Sequence, residues 1–333
     1  MTLLRLDRFM AEASARYYAA RDPFGRAGDF VTAPEITQAF GELIGLWAAL
    51  VWQAMGAPAR VILAELGPGR GTLMADALRA IGRAAPGFRA AARVHLVETS
   101  PALRAAQRER LGEAVAAWHD AVAGLPEGPL ILLANEVLDA LPIRRFLREG
   151  GAWREVAVAE EGGVRRFVTI PAEPPADISA LGGGEVCEAA RDLAARLGAR
   201  LAAAGGAALF LDYGPAEATP TDSLQAVRCH ARADPLAEPG SVDLTAHVDW
   251  RAFAAAARAA GAAVHGPLPQ GEFLRRLGLP ERTAQLCRGA SPGEARLLAS
   301  GARRLMDPDA MGLLVKAVAL CDPALPLPPG FAP

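Results

Sequence analysis

Short apolar runs that alternate with helical segments constrain the fold of this chain most strongly. Strands are predicted at 61–66, 93–97, 116–120, 129–134, 207–211, 262–266 and 313–320, with a β-hairpin at 153–170. Helical spacing is found at 3–21, 35–55, 73–81, 185–204 and 248–260, from residue 101 onward, and in segments between 270 and 304. Because strands that alternate with helices form parallel sheets covered on both faces, the pattern predicts an α/β fold with a mostly parallel sheet of about seven strands.

The length of the chain, 333 residues, suits about two domains or one large domain with insertions. The predicted sheet occupies 60–146 and 205–333, after an N-terminal helical segment at 1–59. Residues 147–204 form a predicted insertion that contains the hairpin and a helix. Residues 215–247 are polar and irregular, and we expect them to form a lid-like loop within the core.

The composition excludes several classes of protein. A formal net charge of −2 provides no basic field for nucleic acid. No run of about 18 apolar residues is present, so membrane insertion is not expected. The four cysteines are widely spaced, which indicates neither a zinc site nor a redox pair and suits a reducing compartment. We therefore expect a cytoplasmic protein without a bound metal.

Two helix starts can be identified from their capping residues. Thr32 is a predicted N-cap, with Pro34 in the first turn and Glu35 at the spacing of a capping box. Ser100 is a predicted N-cap that is followed by Pro101 at the first helical position. The second of these starts follows directly on the strand predicted at 93–97.

The motif Glu65-Leu66-Gly67-Pro68-Gly69-Arg70-Gly71 joins the first buried strand to a helix. Its glycines allow a sharp turn and close approach of a ligand to the backbone, and the helix N-terminus behind them favours negative groups. The spacing is G-x-G-x-G rather than the dinucleotide G-x-G-x-x-G, and no G-K-[ST] follows, which excludes a P-loop. A turn that binds no ligand remains the alternative interpretation.

Acidic residues follow the next two strands. Glu98 ends the strand at 93–97, where a carboxylate can accept both ribose hydroxyls, and Asp120 ends the strand at 116–120, where it can accept an adenine amino group. Solvated or helix-capping carboxylates are the alternatives. The glycine motif together with these two carboxylates favours S-adenosylmethionine over NAD as the ligand, because S-adenosylmethionine has no phosphate. Glu65 could meet the ammonium group of this ligand, or it could instead be a buried structural glutamate.

Longer motifs resemble the MidA family of class I S-adenosylmethionine-dependent methyltransferases. The motifs are GDFVTAPEI at 28–36, FGELIG at 40–45, ELGPGRGTL at 65–73, ANE at 134–136, DALP at 139–142 and DLTAHVD at 243–249. The resemblance extends from about residue 14 to residue 320 and implies a Rossmann-like class I methyltransferase sheet. Residues expected to bind the cofactor are Thr32, Glu65, Gly67, Pro68, Gly69, Gly71, Thr72, Leu73, Glu98, Thr99, Ser100, Asp120 and Asn135.

The resemblance further implies methylation of arginine in a protein. The mitochondrial relative acts on a core subunit of the respiratory NADH:quinone oxidoreductase (complex I), so a bacterial counterpart is expected to act on the homologous subunit; a homodimer is left open. A non-catalytic assembly chaperone with the same fold and a small-molecule methyltransferase are the alternatives.

Carboxylates hold a guanidinium best, which makes Glu136 the first candidate for binding the acceptor, with a helix-capping or structural role as the alternative. Asp139 and Glu35 are second choices for the same role, and Asp139, in a turn before Pro142, could instead be structural. His247 is a candidate either for relaying a proton or for holding a loop. Asp212 and Tyr213 end another strand and are expected to line a substrate channel.

Overall fold

The structure is a computed structural model that describes residues 2–20, 31–228 and 230–332. Residues 28–30 of the GDFVTAPEI motif and Cys229 lie outside the described residues. The strands are β1 (Thr2–Arg5), β2 (Val61–Leu66), β3 (Ala92–Val97), β4 (Val115–His119), β5 (Leu130–Asn135), β6 (Arg144–Glu149), β7 (Ala152–Glu161), β8 (Val164–Pro171), β9 (Gly184–Val186), β10 (Gly206–Tyr213), β11 (Gln225–Arg228), β12 (Ala231–Arg232), β13 (Asp243–Thr245), β14 (Ala263–Pro269) and β15 (Val315–Cys321). The helices are α1 (Leu6–Ala20), α2 (Ala33–Ile36), α3 (Gln38–Ala54), α4 (Thr72–Ala84), α5 (Pro86–Ala91), α6 (Pro101–Leu111), α7 (Ala176–Leu181), α8 (Glu188–Ala204), α9 (Trp250–Ala259), α10 (Gln270–Arg276), α11 (Leu279–Arg288) and α12 (Pro292–Met306).

The chain divides into two compact units. The larger unit consists of the described residues of Val31–Val137, Ala195–Tyr213 and Ala256–Pro333. The smaller unit consists of the described residues of Met1–Phe30, Leu138–Ala194 and Gly214–Ala255. The predicted boundaries differ from this division, because the segment predicted at 1–59 contributes to both units and the loop predicted at 215–247 belongs to the smaller one.

The larger unit is built on a mixed sheet of seven described strands in the order β14-β15-β10-β5-β2-β3-β4. All the strands run in one direction except β15, which is antiparallel to both β10 and β14. Every residue of β5 and β15 is buried, as expected for strands covered on both faces of a sheet. The predicted α/β fold with a mostly parallel sheet is therefore confirmed.

The parallel strands bring the predicted site residues to one edge of this sheet. Strand β2 pairs with β3 on one side and β5 on the other, and β3 pairs with β4. The glycine motif, Glu98 and Asp120 therefore follow three adjacent strands at their carboxyl ends, where open α/β sheets bind their ligands. Asn135 ends β5, directly beside the glycine motif.

The smaller unit contains two antiparallel sheets. One has the order β1-β7-β6-β9 with β8 paired to β7, and the other has the order β12-β11-β13. The hairpin predicted at 153–170 is confirmed as β7 and β8. The core of this unit is formed by Leu6, Phe9, Met10, Ile143, Val156, Val158, Val242 and Leu244, with three buried alanines.

Three local predictions were wrong. The helix predicted at 3–21 begins only at Leu6, because the preceding residues pair as β1 with β7. The helix predicted at 35–55 is interrupted at Thr37, which is extended and caps α3 by accepting a hydrogen bond from the Ala39 backbone. The polar segment at 215–247 is not irregular throughout, since it contributes β11, β12 and β13.

Two smaller differences concern helix starts. The helix predicted at 185–204 begins at Glu188, because the residues before it pair with β6 as β9. Thr32 precedes α2, but its side chain forms no capping hydrogen bond, so the predicted capping box is absent. None of the helices within the described ranges is both long and apolar enough to cross a membrane.

Candidate functional site

The glycine motif forms a turn between β2 and α4 that only glycines can adopt without strain. Gly67, Gly69 and Gly71 have φ angles of 62°, 52° and 77°, all in the left-handed region. A Cβ atom on Gly67 would lie 2.6 Å from Cγ2 of Val137. The Gly71 backbone N–H donates to the Pro68 carbonyl at 2.7 Å, and α4 begins at the next residue, Thr72. The turn therefore presents backbone to a ligand at the N-terminus of α4.

Two buried oxygen atoms beside this turn have no hydrogen-bond partner among the described residues. They are Oε2 of Glu65, near the end of β2, and Oδ1 of Asn135, at the end of β5. Glu65 is 3% exposed, and burial raises the pKa of its carboxyl to about 8, with the Glu98 carboxylate adding to the shift. Two unpaired acceptors on adjacent strands suit a ligand group that carries several N–H donors.

Glu98 is nearly buried at the end of β3, and burial raises the pKa of its carboxyl. Its Oε1 accepts the backbone N–H of Ser100 at 2.8 Å. The predicted cap of α6 is confirmed, because Ser100 Oγ accepts the Leu103 N–H at 3.4 Å and Pro101 is the first helical residue. Glu98 is thus held in a fixed position at the sheet edge.

Asp120 follows β4, as predicted, but its side chain is 85% exposed. Its Oδ1 accepts a hydrogen bond from Arg104 at 2.6 Å, and the same guanidinium donates to the Glu98 backbone carbonyl. The ion pair gives Asp120 a local partner that the sequence did not indicate. A contact of Asp120 with adenine stays a prediction.

Glu136 lies directly after β5 in a strained backbone conformation. Its φ is 52°, which is rare for a residue other than glycine, and its backbone N–H donates to the Leu211 carbonyl at 2.8 Å. Oε1 accepts hydrogen bonds from the Ala33 backbone and from Asn135 Nδ2, each at 3.0 Å, and the Tyr213 hydroxyl donates to Oε2 at 3.4 Å. Burial raises the pKa of the Glu136 carboxyl, while these three donors oppose the shift.

Glu35 and Asp212 are held by neighbouring elements of the same unit. The Thr72 hydroxyl donates to Glu35 Oε1 at 2.5 Å and accepts a hydrogen bond from Arg110 at 2.6 Å. Asp212 is buried, and its two oxygens accept the backbone N–H groups of Val137 and Tyr213 at 2.9 and 2.8 Å. The Asp212 carboxylate thereby anchors the turn after β5, and its place in a substrate channel stays a prediction.

Asp139 and His247 belong to the smaller unit. The Asp139 backbone carbonyl accepts the Ala246 N–H at 2.8 Å. The backbone N–H of His247 donates to Ser223 Oγ at 2.8 Å, and the Ser223 hydroxyl donates to the buried Glu185 carboxylate. These bonds fix the backbone in the middle of the DLTAHVD motif, and both roles considered for the His247 side chain stay predictions.

One polar residue at the sheet edge was missed by the sequence interpretation. Gln107 is fully buried on α6, where it follows Leu103 and precedes Leu111 at intervals of four residues. Its amide contacts the glycine turn, Glu98 and Trp118. The available signal was a glutamine within the apolar stripe of a helix, where a polar residue needs buried partners.

Comparisons with known proteins agree with this arrangement. A model of a family of S-adenosyl-L-methionine-dependent methyltransferases matches residues 43–268. The mitochondrial protein arginine methyltransferase NDUFAF7 homologue of Drosophila melanogaster is 35% identical, over 93% of this chain and 79% of that protein. The Homo sapiens protein arginine methyltransferase NDUFAF7 is also 35% identical, over 89% of this chain and 74% of that protein. The crystal structure of a Burkholderia thailandensis protein with bound S-adenosyl-homocysteine superimposes on this chain with a TM-score of 0.81. The two sequences are 28% identical, and the match covers 99% of this chain and 89% of that chain.

Proposed function

Since this chain belongs to the family of S-adenosyl-L-methionine-dependent methyltransferases, we propose that it methylates an arginine side chain of a protein. Relatives that carry this activity in their names are 35% identical to it over most of both chains. The proposed acceptor is a subunit of the respiratory NADH:quinone oxidoreductase, as the resemblance to the MidA family implies. The strand order of the larger unit supports a Rossmann-like class I sheet.

The residues at the sheet edge fit the methyl donor. Oε2 of Glu65 and Oδ1 of Asn135 are buried acceptors without donors among the described residues, which suits the donor's ammonium group. The fixed position of the Glu98 carboxylate supports its proposed role as the acceptor of the ribose hydroxyls, and the glycine turn supports close approach of the donor to the backbone. When bound, S-adenosylmethionine supplies an activated methyl group. The remaining predicted contacts of Thr32, Pro68, Leu73 and Thr99 stay predictions.

The carboxylate of Glu136 carries the proposal that the acceptor is a guanidinium. A guanidinium has only donors and a fixed positive charge, so it binds best to a carboxylate whose geometry is fixed. Glu136 is oriented by Ala33, Asn135 and Tyr213, and no cation of the described residues lies within ion-pair distance of it. Burial raises its pKa, which also suits it to hold the proton that the guanidinium loses on methylation.

The other candidates have supporting roles in this proposal. Tyr213 orients Glu136, and Glu35 is fixed by Thr72 near the start of α4. Asp139 as a second carboxylate and His247 as a proton relay stay predictions, as do a cytoplasmic location in a bacterium and a homodimer.

The acceptor can be identified by labelling. Extract from cells that lack the protein is incubated with the purified protein and S-adenosylmethionine carrying a labelled methyl group, and the labelled residue is located by mass spectrometry. We expect label on arginine of a single protein band. Label confined to small molecules, or to a residue other than arginine, would contradict the proposal.

The role of Glu136 can be separated from donor binding with Glu136→Gln. This variant keeps the shape and loses the charge, so we expect transfer to fall about 100-fold, the equivalent of a charged hydrogen bond worth about 3 kcal/mol. Affinity for S-adenosyl-homocysteine, measured by calorimetry, should stay within about threefold of the wild type. The exposed Glu109 on α6 provides the matched control, Glu109→Gln, which should leave both quantities unchanged. Equal losses of transfer and affinity in Glu136→Gln would assign Glu136 to the donor site or the fold instead.

A further inference from the structure

Gln107 connects three parts of the sheet edge through one buried amide. Its Nε2 donates to the Gly69 carbonyl at 2.7 Å and to Glu98 Oε2 at 3.4 Å. Its Oε1 accepts the indole N–H of Trp118 at 2.9 Å. The side chain has no exposed surface, and its Cγ lies 3.6 Å from the position that a Cβ on Gly71 would take. The amide therefore occupies a closed space between the glycine turn, β3 and β4.

The partners of this amide determine both its orientation and its residue type. A carbonyl and a carboxylate oxygen can only accept hydrogen bonds, whereas an indole N–H can only donate. The amide nitrogen must face the first two and the amide oxygen must face Trp118. Glutamate has no donor when ionised, and methionine has neither a donor nor a strong acceptor. Glutamine is thus suited to satisfy all three partners from this position on α6.

The Gln107 contact completes the support of the Glu98 carboxylate. Oε1 of Glu98 accepts the Ser100 backbone N–H and Oε2 accepts from Gln107, so both oxygens are held by protein donors, and the Thr99 backbone N–H is a further donor to this carboxylate. Two donors at opposite oxygens also fix the plane of the carboxylate. A carboxylate held in a fixed plane is suited to accept hydrogen bonds from two vicinal hydroxyls of a ribose.

We propose that Gln107 is a positioning residue that sets the carboxylate of Glu98 for recognition of the donor's ribose. The inference rests on the proposed donor site and extends it to a residue that does not itself touch the donor. The hydrogen bond from Gln107 to the Gly69 carbonyl couples the glycine turn to the Glu98 carboxylate. Without Gln107, Glu98 keeps its charge but loses the Gln107 donor at Oε2, so the affinity gained from the ribose hydroxyls should fall while other contacts persist.

Comparison of two ligands tests the proposal without the methyl-transfer reaction. Dissociation constants are measured by calorimetry for S-adenosyl-homocysteine and its 2′-deoxyribose analogue. Wild-type protein should prefer the ribose form by about tenfold or more, since a hydrogen bond to a charged group contributes ~1.5–3 kcal/mol. Gln107→Met should bind S-adenosyl-homocysteine about tenfold more weakly and the deoxy analogue about as well as the wild type, which removes most of the preference. Glu109→Gln, on the exposed side of the same helix, should keep the wild-type preference.

Gln107→Glu provides a second readout that depends on pH. Its ionised carboxylate would face Glu98 and the Gly69 carbonyl, two acceptors, while it still accepts from Trp118. Protonation restores a donor, so the affinity of this variant for S-adenosyl-homocysteine, as a ratio to wild type at the same pH, should recover at least about fivefold between pH 8 and pH 6. The pH dependence of Gln107→Glu also tests the proposal if Gln107→Met does not fold.

The outcomes separate this inference from the proposed function. If wild-type protein binds neither ligand, the donor site and the inference both fail. If wild-type protein binds and prefers ribose, but the Gln107 variants keep that preference, the inference alone is overturned. Equal weakening of both ligands, with no recovery of Gln107→Glu at low pH, would assign Gln107 to the fold and likewise overturn it.

Discussion

Glu65 gives the sharpest prediction for donor binding, because its carboxyl is buried and one of its oxygens has no partner among the described residues. Burial raises its pKa to about 8 from an ordinary value of 4.5. The protonated form of Glu65 therefore stabilises the folded state fully below pH 4.5, and this contribution is lost as the pH rises towards 8. At pH 7 the loss amounts to about 3 kcal/mol, at 1.36 kcal/mol for each pKa unit.

The variant Glu65→Gln cannot ionise. The difference in the free energy of unfolding between variant and wild type should therefore grow, in favour of the variant, by about 3 kcal/mol between pH 4.5 and pH 7. Urea denaturation of the ligand-free proteins at the two pH values measures this change. The comparison of two pH values removes any fixed cost of burying the glutamine amide.

Donor binding should have the opposite pH dependence. A ligand ammonium needs the ionised carboxylate, so wild-type protein should bind S-adenosyl-homocysteine about tenfold more tightly at pH 7 than at pH 6, and should release about one proton on binding. Calorimetry in two buffers of different ionisation enthalpy counts that proton. Glu65→Gln should bind more weakly at pH 7 and show neither effect.

Glu185→Gln is the matched control, since Glu185 is also buried with a raised pKa but belongs to the smaller unit. It should keep the wild-type pH dependence of binding. Wild-type affinity that stays constant from pH 6 to pH 7, without proton release, would refute the assignment of Glu65 to the ammonium group.

Two further predictions concern stability. Gly67→Ala should lower the free energy of unfolding by about 2–3 kcal/mol, because the new Cβ meets Val137 at 2.6 Å and the φ angle of Gly67 is 62°. In urea denaturation, adding Val137→Ala to this variant should recover part of the loss, and complete recovery would show that backbone strain is negligible. Arg282→Met should cost about 2–3 kcal/mol at pH 7, since the 3% exposed carboxylate of Glu42 loses a hydrogen bond of 2.6 Å. Because its arginine partners lower the pKa of Glu42, this cost should shrink as the pH falls below 4.5, and an equal cost at pH 3.5 and pH 7 would contradict an ionic role.

The sheet edge could be predicted from the sequence because each part of it depends on local patterns. A buried strand followed by a glycine turn fixes where Glu65 and the turn lie, and the parallel arrangement then places Glu98 and Asp120 on adjacent strands. No long-range contact has to be known for this step. The same holds for the cap of α6 by Ser100, which depends on residues within one turn.

The features that could not be predicted from the sequence depend on contacts with residues distant in the chain. Leu3 has helical spacing with later residues, but it lies in β1 and pairs with Ala159 of β7. Tertiary pairing therefore overrides the local periodicity. Asp120 was assigned from its place after β4, whereas its exposure and its ion pair with Arg104 depend on how α6 packs. Gln107 carries no motif, and only the structure brings its three partners together.

Two equally buried glutamates in the larger unit show why the lack of a partner at Glu65 points to a ligand. Glu42 and Glu65 are each 3% exposed. Glu42 accepts hydrogen bonds from Arg79 and Arg282, and its pKa is lowered, whereas the pKa of Glu65 is raised to about 8. Burial alone therefore does not account for the difference; the supply of cationic donors does. The fold can pair a buried carboxylate when stability is the only requirement, so an acceptor left open beside a glycine turn, at the edge where α/β sheets bind ligands, is best explained by a cationic group that arrives with the donor.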